Sequence, residues 1–231
     1  MFKNLTKPKW VLLTIVIGFL IFLFIRLSDW QFDRYNQRIL NNETTSLSLL
    51  ANPKLLENVD QLNELIDWQR VSVNGSFIDK ESRLIRRQYL ESNLGFYVIT
   101  PFLTNTRLKI LINRGWIPIG ESASVVQNIP PAPTGNIKIT GHIQSYDKSK
   151  INPSDLPENQ MNFLQSSYFN HLSNTNKYIQ LDSSNLFESD VIPIPLPVIS
   201  NGPHLSYAIQ WILFALLLPI GWYVLLKNEQ K

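Results

Sequence analysis

The sequence predicts an α+β membrane protein in which two transmembrane helices flank an extracytoplasmic β-rich domain, antiparallel and barrel- or sandwich-like. Uncharged apolar runs at residues 10–25 and 205–226 predict the two helices. At about 1.5 Å per residue, the second run spans about 33 Å, which is enough to cross a bilayer. Between the two runs, alternating apolar residues separated by turn residues predict β-strands.

The distribution of Lys and Arg orients this arrangement. Residues 178–204 contain neither, whereas Lys227 and Lys231 follow the second run, so both termini are expected in the cytoplasm. No small-residue cleavage site follows the first run, which favours an uncleaved anchor in a bacterial plasma membrane. The predicted layout is cytoplasmic at 1–9, transmembrane at 10–29, extracytoplasmic at 30–203, transmembrane at 204–226 and cytoplasmic at 227–231.

Six strands are predicted in the central domain, at residues 70–77, 82–90, 95–102, 108–118, 137–143 and 177–181. Weak helical periodicity predicts short helices at 52–65 and 160–171. The first membrane helix is predicted to continue to about residue 40.

Composition excludes several classes of function. The chain has no cysteine, which excludes disulfides, thiolate nucleophiles and cysteine-ligated metals. The three histidines lie far apart in the sequence, so we do not expect a metal site built from a histidine cluster. The net charge of +3 without a basic run gives no indication of nucleic-acid binding. No nucleophile–base pair or phosphate loop is visible, so we do not expect an enzyme.

A histidine lies at the predicted start of the second membrane helix, with Pro203 expected at the first helical position. His204, Ala208, Trp211 and Ala215 share one helix face. A flat cofactor such as haem fits this face, with His204 as its axial ligand. Alternatively, the alanines mark a helix–helix contact and His204 binds headgroups or loop carbonyls.

The second membrane helix also contains Gln210, whose amide is costly to expose to lipid, so we expect it to face a helix or the cofactor.

Basic and aromatic residues recur every four positions after the first apolar run, at Arg26, Trp30, Arg34 and Arg38. Arginine binds carboxylates in a bidentate manner, so this stripe suits a propionate or a partner protein. Arg34, beside Trp30 and Gln31, is the better candidate, since Arg26 is equally suited to lipid phosphate and Arg38 to solvent.

Arg114 and Trp116 flank Gly115 near the end of a predicted strand. The structural interpretation has Trp116 covering a core and Arg114 pairing with a carboxylate. The functional interpretation makes the two residues an interaction motif.

Four motifs, in this order, resemble the surfeit-locus (Surf/Shy) family of cytochrome c oxidase assembly proteins: WQFDR at 30–34, GFYVITPF at 95–102, NRGWIP at 113–118 and NGPHLSYAIQW at 201–211. The resemblance covers almost the whole chain. Two features depart from it: Ser28 or Asp29 replaces a glycine, and the aromatic expected near Met161 and Phe163 is less clear.

The resemblance implies a membrane-anchored assembly factor that binds haem a transiently and aids its insertion into oxidase subunit I. It implies as partners cytochrome c oxidase subunit I, other assembly factors and the lipid bilayer. A scaffold that stabilises an oxidase intermediate without carrying haem is the alternative. The implied haem-binding residues are His204 as iron ligand, Arg34, Trp30, Gln31, Tyr207 and Trp211; Arg114 and Trp116 match the central motif.

Overall fold

The computed structural model describes residues 7–182 and 190–229. The chain divides into two compact units. We call Met1–Thr44 with Val198–Lys231 the helical unit, and Thr45–Pro197 the strand unit.

Two long helices dominate the helical unit: α1 at Pro8–Leu50 and α3 at His204–Asn228. By length and composition, each is apolar enough to cross a membrane. α1 is longer than expected because no proline or glycine interrupts the chain between Gly18 and Pro53. α3 begins at His204, the predicted first residue of the second transmembrane segment, but Pro203 occupies the cap position before the helix rather than the first helical position.

The two helices of the helical unit run antiparallel. Along the contact between them, residue numbers increase on α1 and decrease on α3. The pairs are Lys9 with Glu229, Thr14 with Trp222, Phe24 with Trp211, Ser28 with Ala208, and Gln31 with His204.

The described part of the strand unit, residues 45–182 and 190–197, contains eight strands and one short α-helix. Their bounds are β1 Lys54–Leu55, α2 Val59–Glu64, β2 Arg70–Phe77, β3 Arg83–Leu90, β4 Asn93–Thr104, β5 Lys109–Pro118, β6 Ile137–Ser145, β7 Gln160–Met161 and β8 Lys177–Leu181. The six predicted strands correspond to β2–β6 and β8. Of the predicted helix at 52–65, only α2 forms, where the Asn58 side chain caps the backbone N–H of Gln61 at 2.9 Å.

The helix predicted at 160–171 is wrong. This segment contains β7 and a 3₁₀ turn at Ser166–Tyr168. The Asn152 side-chain oxygen accepts the backbone N–H groups of Asn162 and Phe163 at 2.7 and 2.9 Å, so these donors are not used in a helix. Met161 enters the core from β7, and Leu164 and Phe169 enter it from the backbone beyond that strand.

The sheet order is β1-β2-β6-β8-β5-β4-β3-β7, with an additional pairing of β2 to β4. Strands β2, β6, β8, β5 and β4 therefore form a closed hydrogen-bonded circuit around a core that includes Val73, Phe102, Ile112 and Ile139. The predicted antiparallel pairing is found between β2 and β4, β2 and β6, β3 and β4, β4 and β5, and β6 and β8, whereas the pairs β1–β2, β3–β7 and β5–β8 are parallel, which was not predicted. Residues 119–176, which include β6 and β7, connect β5 to β8, and this long path lets the two strands run parallel, as a tight hairpin does not permit.

Arg114 and Trp116 on β5 are both buried, at 4% and 3% exposure. The Arg114 guanidinium donates to the carbonyl oxygens of Pro130 and Pro131, each at 2.9 Å, and lies 4.0 Å from the Asp79 carboxylate. The indole nitrogen of Trp116 donates to the carbonyl of Gln88 at 3.0 Å. These contacts favour the structural interpretation of this motif.

Candidate functional site

The candidate site lies where α3 begins beside α1. The Nδ1 atom of His204 lies 2.8 Å from Oε1 of Gln31. With Oε1 of Gln31 as the partner, Nδ1 is the donor, because a carboxamide oxygen only accepts; in the neutral ring, Nε2 then keeps its lone pair. Histidines that bind metals through one nitrogen commonly donate from the other to an oxygen in this way. The half-buried imidazole is therefore held in the tautomer that suits a metal ligand.

A polar cavity of about 290 Å³ adjoins His204. Its other lining residues are Arg34, Gln37, Arg38, Asn41 and Asn42, all on α1. Two guanidinium groups and several amides give this cavity the character of an anion site. It is too small for a porphyrin ring but suits the carboxylates at the edge of one.

The two arginines of this cavity have different surroundings. Arg38 donates from Nε to the carbonyl of Ser200 at 2.8 Å, which ties α1 to the segment before α3. The exposed Arg34 donates to Oε1 of Gln37 at 3.2 Å, and its guanidinium lies 5.7 Å from the Trp30 ring. Because it makes no such tie to the backbone before α3, Arg34 is better placed to turn toward a bound carboxylate.

The alanine face of α3 is covered by α1. Ala208 is fully buried and Ala215 is 8% exposed. The hydroxyl of Ser28 donates to the carbonyl of Ala208 at 3.1 Å. These contacts favour the helix–helix interpretation of the alanines, because α1 covers nearly all of the alanine surface on which a flat cofactor would lie. Trp211 packs against Phe24 with ring centroids 5.4 Å apart.

Accessible aromatic surface lies on the flank of the helix pair. Trp30 and Tyr207 are 50% and 47% exposed. Gln210 is also exposed rather than buried against α1, so of the two expected neighbours, a helix or the cofactor, the cofactor stays a prediction. The structure thus brings together His204, Gln31 and Arg34, and it leaves Trp30 and Tyr207 open at the helix surface.

Gln37, Asn41 and Asn42 were not predicted as lining residues of the polar cavity, and Arg38 was judged equally suited to solvent. The available signal was helical spacing, since Gln31, Arg34, Arg38 and Asn42 follow each other at intervals of three or four residues.

The other two histidines lie in the strand unit. His171 is exposed, whereas His142 on β6 is 2% exposed. Burial lowers the pKa of His142, an effect that the nearby Asp182 opposes. Among residues 7–182 and 190–229, no group of three or more His, Asp or Glu side chains is arranged to hold a metal ion.

Comparison with known proteins identifies the family. The model of the SURF1 family matches residues 18–216. The chain belongs to the SURF1 family. An uncharacterized SURF1-like protein of Mycobacterium tuberculosis is 26% identical, with 94% of this chain and 83% of the relative covered. A SURF1-like protein of Rickettsia prowazekii is 27% identical over 89% of this chain and 85% of the relative. A SURF1-like protein of Dictyostelium discoideum is 38% identical over 22% of this chain and 18% of the relative.

The SURF1 family is an assembly-factor family associated with oxidase assembly. The family match confirms the resemblance drawn from the four motifs. All four motifs lie wholly within the matched range.

Proposed function

We propose that this SURF1-family protein is a non-enzymatic assembly factor of a haem–copper (cytochrome c) oxidase, which binds haem a and aids its insertion into subunit I. The hydrogen bond between His204 and Gln31 is the observation that carries the proposal. This bond leaves the lone pair of Nε2 of the neutral His204 ring available to bind iron, next to a cavity with two arginines.

The donor set fits haem. Haem supplies an iron that accepts an imidazole, an apolar plane and two propionates. His204 offers the imidazole nitrogen, and Arg34 and Arg38 offer cations for the propionates. Trp30 and Tyr207 offer exposed aromatic surface. A single histidine ligand holds the cofactor less firmly than two, which suits transient binding and transfer to an oxidase subunit.

We propose further that the protein is a multi-pass protein of a bacterial plasma membrane, with both termini cytoplasmic and residues 30–203 outside. Two helices of sufficient length and apolar character support this arrangement. Lys227 in the last turn of α3, Lys231 later in the sequence, and the absence of Lys and Arg from residues 178–204 support the orientation.

The absence of cysteine permits a direct test of orientation by single-cysteine labelling. Val198, which is 93% exposed, is changed to cysteine and treated with a membrane-impermeant maleimide on intact cells. Labelling is expected before lysis for Val198→Cys, and only after lysis for the matched variant Lys227→Cys at the other end of α3. The reverse pattern contradicts the proposed orientation.

Haem binding is tested by purifying the full chain in detergent from cells that make haem a. The expected result is co-purification of about one haem per chain, with an absorption spectrum distinct from that of free haem. A preparation without haem, which also takes up none when haem a is added, contradicts the proposal.

A scaffold function that does not involve haem is the second candidate. It is favoured by the incompletely paired outer strand β3, which pairs with β7 only at Leu84 and Ile85 and carries Tyr89 at 65% exposure. Purification from cells unable to make haem a separates the two functions. If oxidase subunit I and other assembly factors still co-purify at the normal level, the scaffold is supported; their loss supports the haem-dependent function.

A further inference from the structure

The helix pair also has an apolar groove, separate from the polar cavity beside His204. It has a volume of about 530 Å³ and lies between α1 and α3 within the apolar part of both helices. Its lining includes Val16, Leu20, Phe24, Phe214, Leu217 and Gly221. This volume falls within the range of small-molecule sites, about 300–1,000 Å³.

We infer, on the basis of the proposed function, that this groove binds the isoprenoid tail of haem a, and that Gln210 hydrogen-bonds the hydroxyl at the base of that tail. The site would then distinguish haems that carry the tail from those that lack it.

Helical geometry aligns the groove with the polar site. Arg34 follows Val16 on α1 by 18 residues, and Leu225 follows Tyr207 on α3 by the same interval. At 3.6 residues per turn, this interval is about five full turns, so the members of each pair share one face of their helix. Because Val16 and Leu225 both line the groove, Arg34 and Tyr207 lie on the same flank of the helix pair as the groove.

The order of groups along α3 matches the order of groups in the cofactor. Gln210 is six residues beyond His204, or about 9 Å deeper, and Phe214 at the mouth of the groove is about 15 Å deeper. A metal ligand, a polar amide and an apolar groove thus follow one another. In haem a, the iron-bearing ring, the tail hydroxyl and the isoprenoid chain do the same.

Gln210 decides between this occupant and an ordinary lipid chain. Its amide is exposed within an apolar helix, and a primary amide in hydrocarbon requires a hydrogen-bond partner. An acyl chain has no polar atom at this depth, so it does not satisfy Gln210. The hydroxyl of the haem a tail does. A helix of a partner protein could also offer a hydrogen-bond partner to Gln210, and haem titration of groove variants distinguishes it from the haem a tail.

Gly221 provides a way to fill the groove without disturbing the helix pair. A Cβ atom added to Gly221 would meet nothing within 4 Å, and Gly221 lines the groove. Gly221→Leu therefore places a side chain in the groove space. Gly18→Leu is the matched control, because Gly18 also has no neighbour within 4 Å but does not line the groove.

The experiment titrates the full chain, in detergent, with haem o, which carries the tail, and with haem b, which lacks it. Absorption changes report binding. The wild type is expected to bind haem o at least about tenfold more tightly than haem b. Gly221→Leu is expected to remove this preference by weakening haem o while haem b binding stays unchanged. Gly18→Leu is expected to keep the preference, and Gln210→Leu to reduce it.

Equal wild-type affinities for the two haems overturn the inference but leave the proposed function standing. The inference is also overturned if Gly221→Leu still binds haem o more tightly than haem b. If that variant keeps the preference for haem o but no longer co-purifies with oxidase subunits, the groove binds a helix of a partner protein. Failure of the wild type to bind either haem overturns the proposed function itself.

Discussion

His204→Ala is expected to weaken haem binding by about 100-fold or more, because it removes the proposed iron ligand. Loss of a group that only orients a metal ligand already costs about 10–100-fold in affinity, so loss of the ligand itself should cost at least as much. The Nδ1 atom of His204 is held by Gln31, so the imidazole is fixed in position before any ligand arrives. The measurement is haem content and absorption spectrum of the purified full chain. Residual haem in the variant should show shifted bands, because its iron has lost an axial nitrogen.

Gln31 provides a second arm for the same experiment, as a positioning residue. Gln31→Leu removes the acceptor for the Nδ1 hydrogen and is expected to weaken haem binding by about 10–100-fold. Gln31→Glu keeps an acceptor oxygen and is expected to restore most of the affinity. Rescue by Glu but not by Leu separates positioning of the imidazole from a general effect on helix packing.

His171→Asn is the matched control for the loss of a histidine. His171 is exposed in the strand unit, and its backbone has a positive φ of 51°, which asparagine tolerates. This variant should retain haem content and spectrum. If His204→Ala retains both as well, His204 is not the ligand, and the site must be sought elsewhere on the chain.

Local alternation was sufficient to predict the strands. The segment at 70–77 became β2 with the predicted bounds, and the segment at 177–181 became β8. Their partners were not predictable, because β5 and β8, which pair in parallel, are separated in the chain by residues 119–176, and this segment contains two other strands. Asn152, whose side chain holds the segment at 160–171 out of a helix, acts from ten residues away.

The candidate site was predictable as separate groups but not as an arrangement. Helical spacing placed His204 and Ala208 on one face, but it did not show that α1 covers the alanine. The hydrogen bond between Gln31 and His204 joins residues 173 positions apart. Only the antiparallel packing of two helices creates it. The exposure of Gln210 was not predictable for the same reason, because it depends on which face of α3 packs against α1.

Arg114→Met is expected to destabilise the strand unit by about 3 kcal/mol, because hydrogen bonds to charged groups contribute about 1.5–3 kcal/mol each. The variant removes the donors for the carbonyls of Pro130 and Pro131, which the Arg114 guanidinium holds at 2.9 Å. Methionine occupies similar space but has no N–H groups. With every 1.4 kcal/mol worth tenfold, cleavage of the strand unit by a protease that attacks opened chains should accelerate by about 100-fold.

Arg83→Met is the control for this prediction. Arg83 is half-buried on the neighbouring strand β3, and its guanidinium donates to the carbonyl of the adjacent Ser82 at 3.0 Å. That contact is local, so its loss should change the cleavage rate by less than about fivefold. Unchanged cleavage of Arg114→Met, together with loss of oxidase subunit I from the purified protein, contradicts the structural role. It makes Arg114 part of a partner interface, because the defect then arises without any loss of folding.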